Sequence, residues 1–475
     1  MKRILWLLLV LGLLMAACTT PAEPALTPTA TFAKATPRPS ATALPTMQLI
    51  TPSPTTIPYL EVDVEDLKGV TVRFWHPFTD DTATQMRQIA ETFNSENQYG
   101  IRVEVYSIGA SGALDERFTE AMQQDGELPT LVAGPLVYLH DWDSQGWLIP
   151  VDGYMNFPDW QWAAEDFDEF VLSQHQTAGG EQLSLPLNWY ANVLFYNQTW
   201  AQELGLNRIP SDLPTFETQA CTAKDALLAD DDPGNNNTGG YIISRNANTL
   251  LSWLAVFGYA EIPVTAAENY DFTTPEAEET FTALWELSNA GCAWQSRIPT
   301  PYDYFAERNA LFYAGSTRDI FWQERAMENA ASADEWIVIP YPSANGQSPL
   351  LVDGSGAALV ATTPEEQLAS WFFLQTLLES RNQALIAIAS SSMPVRDSAW
   401  EWLSVQAQAH PQWAAVADWS NPRISVPLRA DWLIAGNVLE DAAWELYQPF
   451  TTVERIPSLL EQLDAMIEEV TGADN

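Results

Sequence analysis

The chain has 475 residues, of which 47% are hydrophobic and 11% are aromatic. This is enough apolar material for the cores of two or three ordinary domains, which excludes a chain that is disordered throughout. The 62 acidic residues outnumber the 21 Lys and Arg residues and give a formal net charge of −41. Such an excess of negative charge argues against nucleic acid or an anionic membrane surface as a partner.

The N-terminal segment MKRILWLLLVLGLLMAAC combines a basic start, an apolar run and small residues before Cys18. This order is typical of an export signal, and the run is shorter than the ~20 apolar residues that a spanning helix needs. The segment from Leu14 to Cys18 resembles the lipobox of bacterial lipoproteins, although Met15 departs from the usual Leu. It predicts a signal peptide over 1–17 and lipid on Cys18. The alternative is an ordinary signal peptide with a chance Cys beside the cleavage site.

Thr and Pro dominate the segment that follows Cys18, and charged residues are scarce in it. Such a composition cannot bury a core, and Pro holds the backbone extended. We therefore predict a semi-rigid tether over 18–58, with the folded part of the chain beginning at Tyr59.

Apolar periodicity then predicts alternating strands and helices. Alternation over 70–75 and 101–106 predicts two strands around one helix, and a second helix and a short strand over 128–134 follow. Right-handed crossovers in such a series produce a parallel sheet with helices on its faces. Further strands are predicted in LPLNWYANVLFYN (185–197), YIIS, ALFYA, WIVIP and GAALVA. The predicted fold class is α/β, and the chain is too long for one sheet.

Several helix boundaries are also visible in the sequence. Thr363 precedes Pro364 and is followed three residues later by Glu366, which predicts a capping box, and Thr274 with Pro275 repeats the first two features. A C-terminal amphipathic helix is predicted from one apolar stripe, namely Leu459, Leu460, Leu463, Met466, Ile467 and Val470.

Two cysteines remain besides Cys18. Cys221 and Cys292 would lie outside the cytoplasm after export, where disulfides persist, so an even pair favours a bridge over two free buried thiols. The segment DDDPGNNNTGG (230–240) carries oxygen ligands but lacks the Glu of a calcium loop at the twelfth position. A solvated turn is favoured there, and we predict no metal site.

Six segments in chain order, from about Val70 to Trp400, resemble landmarks of the family 1 extracellular solute-binding proteins of ABC importers. They are VRFWHPFTDD with IAETFNSEN, SQGWLIPVDGYM, LPLNWYANVLFYNQTWAQELGL, YFAERNALFYAGS, GSGAALVATTPEEQLASWFFLQTLLES and SSMPVRDSAW. Thr130 and the pair Thr215-Phe216 depart from the usual pattern. The resemblance implies a two-lobed type II periplasmic-binding-protein-like fold, with a ligand cleft between lobes joined by crossover segments. It implies one lobe from 59–188 and 354–400 and another from 189–353 and 401–475.

The same resemblance implies the function. We expect a monomeric, lipid-anchored, extracytoplasmic binding protein that needs no cofactor, captures a sugar or oligosaccharide and delivers it to ABC transporter permease subunits. A non-sugar solute, such as a polyol phosphate or a peptide, is one alternative. A secreted glycan-acting enzyme is another alternative. The chain lacks H-x-x-x-H, G-x-S-x-G and Gly-Lys-Ser/Thr motifs, but its many carboxylates leave a catalytic carboxylate pair open.

The middle of the 185–197 segment is the first candidate for the ligand site. Trp189 and Tyr190 lie between Asn188 and Asn192, where a buried core strand should not carry amides. An aromatic face flanked by amides suits a sugar. The alternative for Trp189 is a place in the core.

Other candidates follow strands at the edge where open α/β sheets bind ligands. His76, Asp80 and Asp81 follow the first strand, and Gly134 and Tyr138 follow the third. The Asp pair could equally begin a helix, and Tyr138 could be a helix-surface ring. From the resemblance, ligand contacts are expected after ALFYAG and before a further crossover, at Ser316, Arg318, Asp353 and Ser355.

Overall fold

The computed structural model describes residues 62–124, 127–156, 164–259, 269–343 and 348–472. The export signal, Cys18 and the tether lie outside these residues. The strands are β1 Thr71–His76, β2 Arg102–Ser107, β3 Leu131–Pro135, β4 Leu148–Ile149, β5 Leu185–Asn197, β6 Tyr241–Ile242, β7 Ala293–Trp294, β8 Phe312–Ser316, β9 Trp336–Ile339, β10 Leu350–Val360 and β11 Arg423–Ser425.

Helices alternate with these strands along the chain. They are α1 Asp80–Glu96, α2 Ser111–Gln123, α3 Leu136–Ser144, α4 Asp152–Met155, α5 Glu169–Ser173, α6 Gln198–Glu203, α7 Leu213–Ala229, α8 Ala247–Val256, α9 Pro275–Asn289, α10 Tyr302–Ala306, α11 Ile320–Asn329, α12 Pro364–Leu377, α13 Ser380–Ser390, α14 Ser404–Ala409, α15 Pro411–Val416, α16 Trp432–Leu446 and α17 Ile456–Thr471. Short 3-10 helices are Val64–Leu67, Ala164–Asp166, Thr317–Asp319, Asp397–Trp402 and Val453–Arg455.

The strands form two groups that share β5 and β10. The order is β2-β1-β3-β10-β5-β8-β6-β7, with β4 and β11 also paired to β10 and β9 also paired to β5. In the first group β1 pairs in parallel with β2 and β3, as the sequence predicts, whereas β10 runs antiparallel to β3. In the second group β8 and β9 run antiparallel to β5. The sheet is therefore mixed. Parallel pairing as predicted occurs among β1 to β3, between β6 and its neighbours β7 and β8, and between β10 and β11, whereas the pairings of β5 and the β3–β10 pairing are antiparallel.

The long strand β5 connects the two groups because its two halves have different partners. Residues 185–191 pair with β10, and residues 192–197 pair with β8 and β9. β10 approaches β5 closely at Gly354, where a Cβ atom would lie 2.4 Å from the Asn188 carbonyl oxygen. Only glycine permits this approach, since that separation is far below van der Waals contact.

Apolar faces of the helices bury the sheet. In α1 the predicted core positions Met86, Ile89, Ala90 and Phe93 are all buried. A second buried cluster includes Leu194 and Phe312 of the sheet together with residues of α7, α8, α9, α16 and α17. The C-terminal helix buries Leu459, Leu460, Leu463 and Ile467, but Met466 and Val470 are exposed. The predicted stripe is therefore wider than the face that packs.

The predicted helix starts are confirmed. The Thr363 hydroxyl accepts a hydrogen bond from the Glu366 N–H, and the Glu366 carboxylate accepts one from the Thr363 N–H, which completes a capping box. The Thr274 side chain accepts a hydrogen bond from the Ala277 N–H at 3.2 Å. Both caps satisfy first-turn donors that otherwise lack a partner.

A disulfide joins Cys221 of α7 to Cys292, which precedes β7. The two Cα atoms are 4.5 Å apart and the residues are 71 positions apart in sequence. The bridge therefore ties a helix to an edge strand of the second group. Among the residues that the structure describes, no helix is both long enough and apolar enough to cross a bilayer.

Candidate functional site

A cleft of about 610 Å³ lies where the two groups of strands meet. It is bordered by the carboxyl ends of β1 and β3, the first residues of α1 and α2, the middle of β5 and β10, and the turn after β8. Its lining residues are Pro77, Phe78, Thr79, Asp80, Asp81, Thr82, Ala110, Ser111, Pro135, Asn188, Tyr190, Ser316, Arg318, Asp319, Trp322, Gly354, Ser355, Ala389, Ser390 and Ser391. Open α/β sheets bind ligands at this kind of edge.

Strand alternation decides which residues of β5 face the cleft. Successive side chains point to opposite faces of a strand, so Asn188 and Tyr190 share one face and Trp189 takes the other. Asn188 and Tyr190 line the cleft. The Trp189 side chain is buried in the core, where its indole N–H donates to the Pro394 carbonyl at 2.9 Å. The Arg423 guanidinium covers its ring at 4.8 Å from the centroid.

A hydrogen-bonded group holds Tyr190 in the cleft wall. Tyr190 lies opposite Asp353 in the β5–β10 ladder, and its hydroxyl donates to the Asp353 carboxylate at 2.8 Å. The Gly354 N–H donates to the same carboxylate at 2.7 Å, and the Arg318 guanidinium lies 5.2 Å from the Tyr190 ring centroid. Burial raises the pKa of the Asp353 carboxyl, and burial together with Asp353 raises the pKa of Tyr190 well above its usual value.

The turn after β8 presents further polar groups. Ser316 caps this turn through a box with Asp319, whose carboxylate accepts from the Ser316 N–H at 2.6 Å. The Tyr302 hydroxyl also donates to Asp319, at 2.7 Å. Asp319 is therefore fixed, while Arg318, the next residue back, is exposed beside the cleft. Both Ser316 and Arg318 line the cleft, as does Ser355 of β10.

The start of α1 contributes two carboxylates. Asp80 and Asp81 are exposed and line the cleft. Asp80 has a φ of 51°, and its carboxylate accepts a hydrogen bond from the Thr79 hydroxyl at 2.9 Å. A residue with a Cβ atom is rare in this backbone region and is associated with functional positions. The two carboxylates also lie in the first turn of α1, where the helix dipole favours negative charge.

Aromatic rings contribute to the cleft from both strand groups. Phe78 follows β1 and is half-buried, and Trp322 belongs to α11. The Trp322 side chain is 54% exposed, which is unusual for so large an apolar residue. An exposed indole in a concave site provides a flat surface that a ligand can cover.

Five of the predicted site residues do not line the cleft, namely His76, Gly134, Tyr138, Trp189 and Asp353. Gly134 is a buried position of β3, and Tyr138 stacks on Trp142 in a separate apolar cluster. Asp353 does not line the cleft itself but bonds to two lining residues, Tyr190 and Gly354.

His76 lies beneath the cleft, in the core. It is fully buried, and its ring stacks on Phe78 with centroids 5.4 Å apart. Neither ring nitrogen meets hydrogen-bond geometry with a described group, although the Phe78 backbone lies near enough to favour the protonated ring slightly. Burial, helped by the charge of Arg87, lowers the His76 pKa to about 4, and the backbone of Phe78 opposes this shift to a smaller extent. His76 is therefore neutral at physiological pH.

Sequence reasoning missed several cleft residues because they come from segments distant in the chain. Ser111 begins α2, Trp322 lies in α11, and the segment 389–391 closes α13. Ser111 follows β2 after three residues, as Asp80 follows β1, so the rule that located the Asp pair could also have located Ser111. Trp322 lies inside a helix and the 389–391 segment ends one, so that rule does not reach them. An isolated Trp and a serine run carry no sequence signal that distinguishes a cleft from a surface.

A larger cavity of about 1010 Å³ lies elsewhere, among α3, α5, the end of α8 and the residues after β11. Its polar groups largely bond to each other. The His140 ring is 3.0 Å from the Gln174 carbonyl, and the Gln174 amide donates to the Ser425 hydroxyl at 2.8 Å. The lining of this cavity does not include the carboxyl ends of β1 and β3.

No group of His, Cys, Asp or Glu is placed to hold a metal ion within the part of the chain that the structure describes. In the 230–240 segment the Asp230 and Asp232 carboxylates accept hydrogen bonds from the backbone of Asp232 and Gly234, respectively, both at 2.8 Å. Asn235 also donates to Asp230. These bonds are those of a solvated turn.

The family model for bacterial extracellular solute-binding proteins matches residues 88–415. The chain therefore belongs to this family of binding proteins, and both the family and the two-lobed α/β fold predicted from the sequence are confirmed. Comparison with curated protein sequences gives no match.

Solved structures with the same fold include the sugar-binding protein MalE from Xanthomonas citri. It is 18% identical, with a TM-score of 0.70 over 85% of this chain and 98% of that one. The cyclic α-maltosyl-1,6-maltose binding protein from Arthrobacter globiformis is 20% identical, with a TM-score of 0.65 over 84% and 99% of the two chains. UgpB from Mycobacterium tuberculosis, in complex with glycerophosphocholine, is 14% identical, with a TM-score of 0.64 over 84% and 99%.

Proposed function

We propose that the protein captures a sugar or short oligosaccharide in the cleft and delivers it to the permease subunits of an ABC transporter. The observation that supports this most is the combination of the exposed Trp322 with hydroxyl, amide and carboxylate groups in one concave site. Sugars present C–H faces that stack on aromatic rings and hydroxyls that need both donors and acceptors. MalE and the cyclic maltosyl-maltose binding protein, which share the fold, are sugar-binding proteins.

The charged residues of the cleft favour a neutral sugar over a phosphorylated solute as the ligand. Arg318 is the one cationic residue among those that line it, whereas Asp80, Asp81 and Asp319 are acidic. Phosphate recognition usually recruits several Arg or Lys donors. A polyol phosphate is the second candidate, because UgpB has the same fold, but the excess of carboxylates favours an uncharged ligand.

Binding to a panel of ligands tests the proposal. The purified chain is heated with maltotriose, mannotriose, tagatose, glycerophosphocholine or a tripeptide, and hits are measured by calorimetry. A ligand at 100 times its dissociation constant stabilises the folded state by about 2.7 kcal/mol, which raises the melting temperature visibly. Stabilisation by glycerophosphocholine or the tripeptide alone would support the non-sugar alternative.

An enzymatic role is the remaining alternative, and we propose that the protein is not an enzyme. The family that it belongs to consists of binding proteins. Incubation of the protein with each oligosaccharide, followed by chromatography of the sugars, tests this point. Unchanged oligosaccharides are expected, and time-dependent shortening would establish a glycan-acting enzyme instead.

We also propose that the protein acts as a monomer on the extracytoplasmic side of the membrane, held there by lipid on Cys18 and by the 18–58 tether. The support is the lipobox-like segment before Cys18 and the Thr/Pro-rich composition after it. Lipid-anchored delivery needs the folded part to reach a permease, and an extended Pro-rich segment provides that reach at ~3 Å per residue.

A single substitution tests the anchor. Cys18→Ala removes the thiol that would carry lipid, so the variant should be released from membranes or remain as uncleaved precursor. Fractionation of cells followed by intact-mass analysis measures both outcomes. Membrane association and processing identical to those of the wild type would contradict the proposal.

A further inference from the structure

Two residues of the cleft have a backbone conformation that disfavours side chains. Among the residues that the structure describes, the non-glycine residues with positive φ are Asp80, Arg308, Ala331 and Ser391. Asp80 and Ser391 line the cleft. Residues held in sparsely populated backbone regions concentrate at binding sites, because selection retains the side chain despite its conformational cost.

Ser391 occupies a position where glycine is the usual choice. It ends α13 with a φ of 53°, its N–H donates to the Ile388 carbonyl at 3.2 Å, and the Ser392 N–H donates to the Ala387 carbonyl at 3.0 Å. This pair of hydrogen bonds is the left-handed cap that closes many helices, and glycine dominates it because it has no Cβ. The local fold of Ser391 therefore does not explain its side chain.

Ala331 provides a comparison within the same chain. It follows α11 with a φ of 49°, its N–H donates to the Glu328 carbonyl at 3.0 Å, and the Ser332 N–H donates to the Met327 carbonyl at 2.9 Å. The cap is therefore the same as that of α13. Ala331 is exposed and does not belong to the cleft lining.

The Ser391 hydroxyl differs from those of its two serine neighbours. The hydroxyls of Ser390 and Ser392 bond to each other, and Ser390 also donates to the Ile386 carbonyl at 2.7 Å. The Ser391 hydroxyl bonds to no group in the described part of the chain, and Ser391 is half-buried in the cleft wall. Of the three serines, only this one has a hydroxyl available to a ligand.

The end of α13 is fixed in place beside the start of α1. The Thr82 hydroxyl of α1 donates to the Ala389 carbonyl at 2.9 Å, and both residues line the cleft. This bond holds the backbone beside Ser391 in place. A ligand group that reaches the Ser391 hydroxyl would therefore meet a donor and acceptor on a fixed segment. Pre-positioned groups bind with less loss of conformational entropy.

We propose that Ser391 is a ligand-contacting residue whose hydroxyl bonds to a hydroxyl group of the bound sugar. The inference rests on the proposed function of the cleft. It explains why a serine stands at a position where the helix cap alone favours glycine. A hydroxyl both donates and accepts, which matches the hydroxyls of a sugar.

Three variants of the full-length chain test this inference: Ser391→Gly, Ser391→Ala and, as the matched control, Ala331→Gly. Urea unfolding measures stability, and calorimetry measures affinity for whichever of maltotriose, mannotriose and tagatose binds the wild type. Both glycine variants should raise the folding equilibrium constant by about two- to fivefold, because each relieves the same backbone conformation. Ser391→Ala should not raise it.

Affinity should separate the variants differently. Ser391→Gly and Ser391→Ala should both weaken binding by about three- to tenfold, the effect of losing one neutral hydrogen bond, and Ala331→Gly should bind as the wild type does. Wild-type affinity in both Ser391 variants would overturn the inference and leave the proposed function intact. A stability gain for Ala331→Gly but none for Ser391→Gly would show that the Ser391 side chain has no conformational cost, and the inference would lose that support. Failure of the wild type to bind any of the three sugars would overturn the proposed function and the inference with it.

Discussion

At the scale of single residues, the two adjacent aromatic residues of β5 have different roles because successive side chains of a strand point to opposite faces. Tyr190 lines the cleft, and Trp189 is buried with its indole N–H bonded to Pro394. The sequence shows an aromatic pair between amides, but it does not show which face of the strand meets the cleft. That choice depends on packing against 393–395, which lies about 200 residues further along the chain.

The different positions of these two rings predict opposite effects of substitution. Tyr190→Ala should weaken binding of the identified sugar by about ten- to a hundredfold, because a half-buried ring of the cleft wall is lost. Trp189→Ala should instead lower the free energy of unfolding by about 3 to 5 kcal/mol, the usual cost of truncating a core aromatic. Calorimetry and urea unfolding of both variants measure the two effects. Equal loss of stability with wild-type affinity in Tyr190→Ala would place that ring outside the site.

His76 should make the stability of the protein depend on pH. Its pKa is about 4 in the folded state against 6.5 when unfolded, so between these values only the unfolded chain binds the proton. The stability contribution is therefore complete above pH 6.5 and is lost as the pH falls towards 4, by about 3 kcal/mol in total. His175, whose pKa burial lowers to about 3, adds a second loss in the same direction.

The variant His76→Leu isolates this contribution. Its free energy of unfolding should fall less steeply than that of the wild type between pH 6.5 and 4, leaving the slope due to His175. At pH 7 it should be as stable as the wild type or more so, because two buried ring nitrogens without hydrogen-bond partners are removed. Urea titrations at several pH values measure both effects. Parallel pH profiles for the two proteins would contradict this assignment.

At the scale of elements, the sequence predicted those strands and helix caps that depend on residues close together in the chain. The strand predicted over 185–197 coincides with β5, and the cap at Thr363 forms its box with Glu366. The predictions were weaker for β10, which spans Leu350–Val360, because the strand predicted from GAALVA covered only its last part. Asp353 and the two glycines of β10 interrupt its apolar pattern because β10 crosses β5 there. Pairing between distant strands leaves little local signal.

The link between α7 and the edge strand β7 predicts the effect of removing the disulfide. Replacing Cys221 and Cys292 together by Ala should lower the free energy of unfolding by about 4 kcal/mol in the chain-entropy model, since the bridge closes a loop of 71 residues. Urea unfolding of the double variant measures this loss, and dithiothreitol-treated wild type should match it. No residue between Cys221 and Cys292 is among those that line the cleft, so sugar affinity should remain unchanged. Free thiols in the denatured, unreduced wild type would contradict the bridge.

At the scale of the whole folded unit, β5 and β10 are the long strands through which the two strand groups are joined. Family membership and the two-lobed fold could be predicted from six ordered segments, because those segments include both crossing strands. The complete composition of the cleft could not, since it is assembled from residues between Pro77 and Ser391. Hinge closure around a ligand is a known motion of two-lobed binding proteins. We predict that such closure here depends on the close approach of β5 and β10.

Gly354 should therefore matter to both stability and binding. A Cβ atom there would meet the Asn188 carbonyl oxygen at 2.4 Å, and backbone cannot give way as a flexible side chain can. Gly354→Ala should separate β5 from β10 locally, lower the free energy of unfolding by about 1 to 3 kcal/mol and weaken sugar binding. Small-angle scattering should show a smaller decrease in radius of gyration on adding the sugar than for the wild type.

The matched control for this prediction is Gly134→Ala in the neighbouring strand β3. A Cβ atom at Gly134 would lie 3.6 Å from the nearest heavy atom, the Leu114 Cδ2, which is an ordinary contact. This variant should therefore keep its affinity and its ligand-induced compaction, and its stability should change by less than about 0.5 kcal/mol. If Gly354→Ala matched the control in all three measurements, the close crossing of β5 and β10 would not be what couples the cleft to closure. A loss of ligand-induced compaction confined to Gly354→Ala is the result expected if the close crossing is needed for closure.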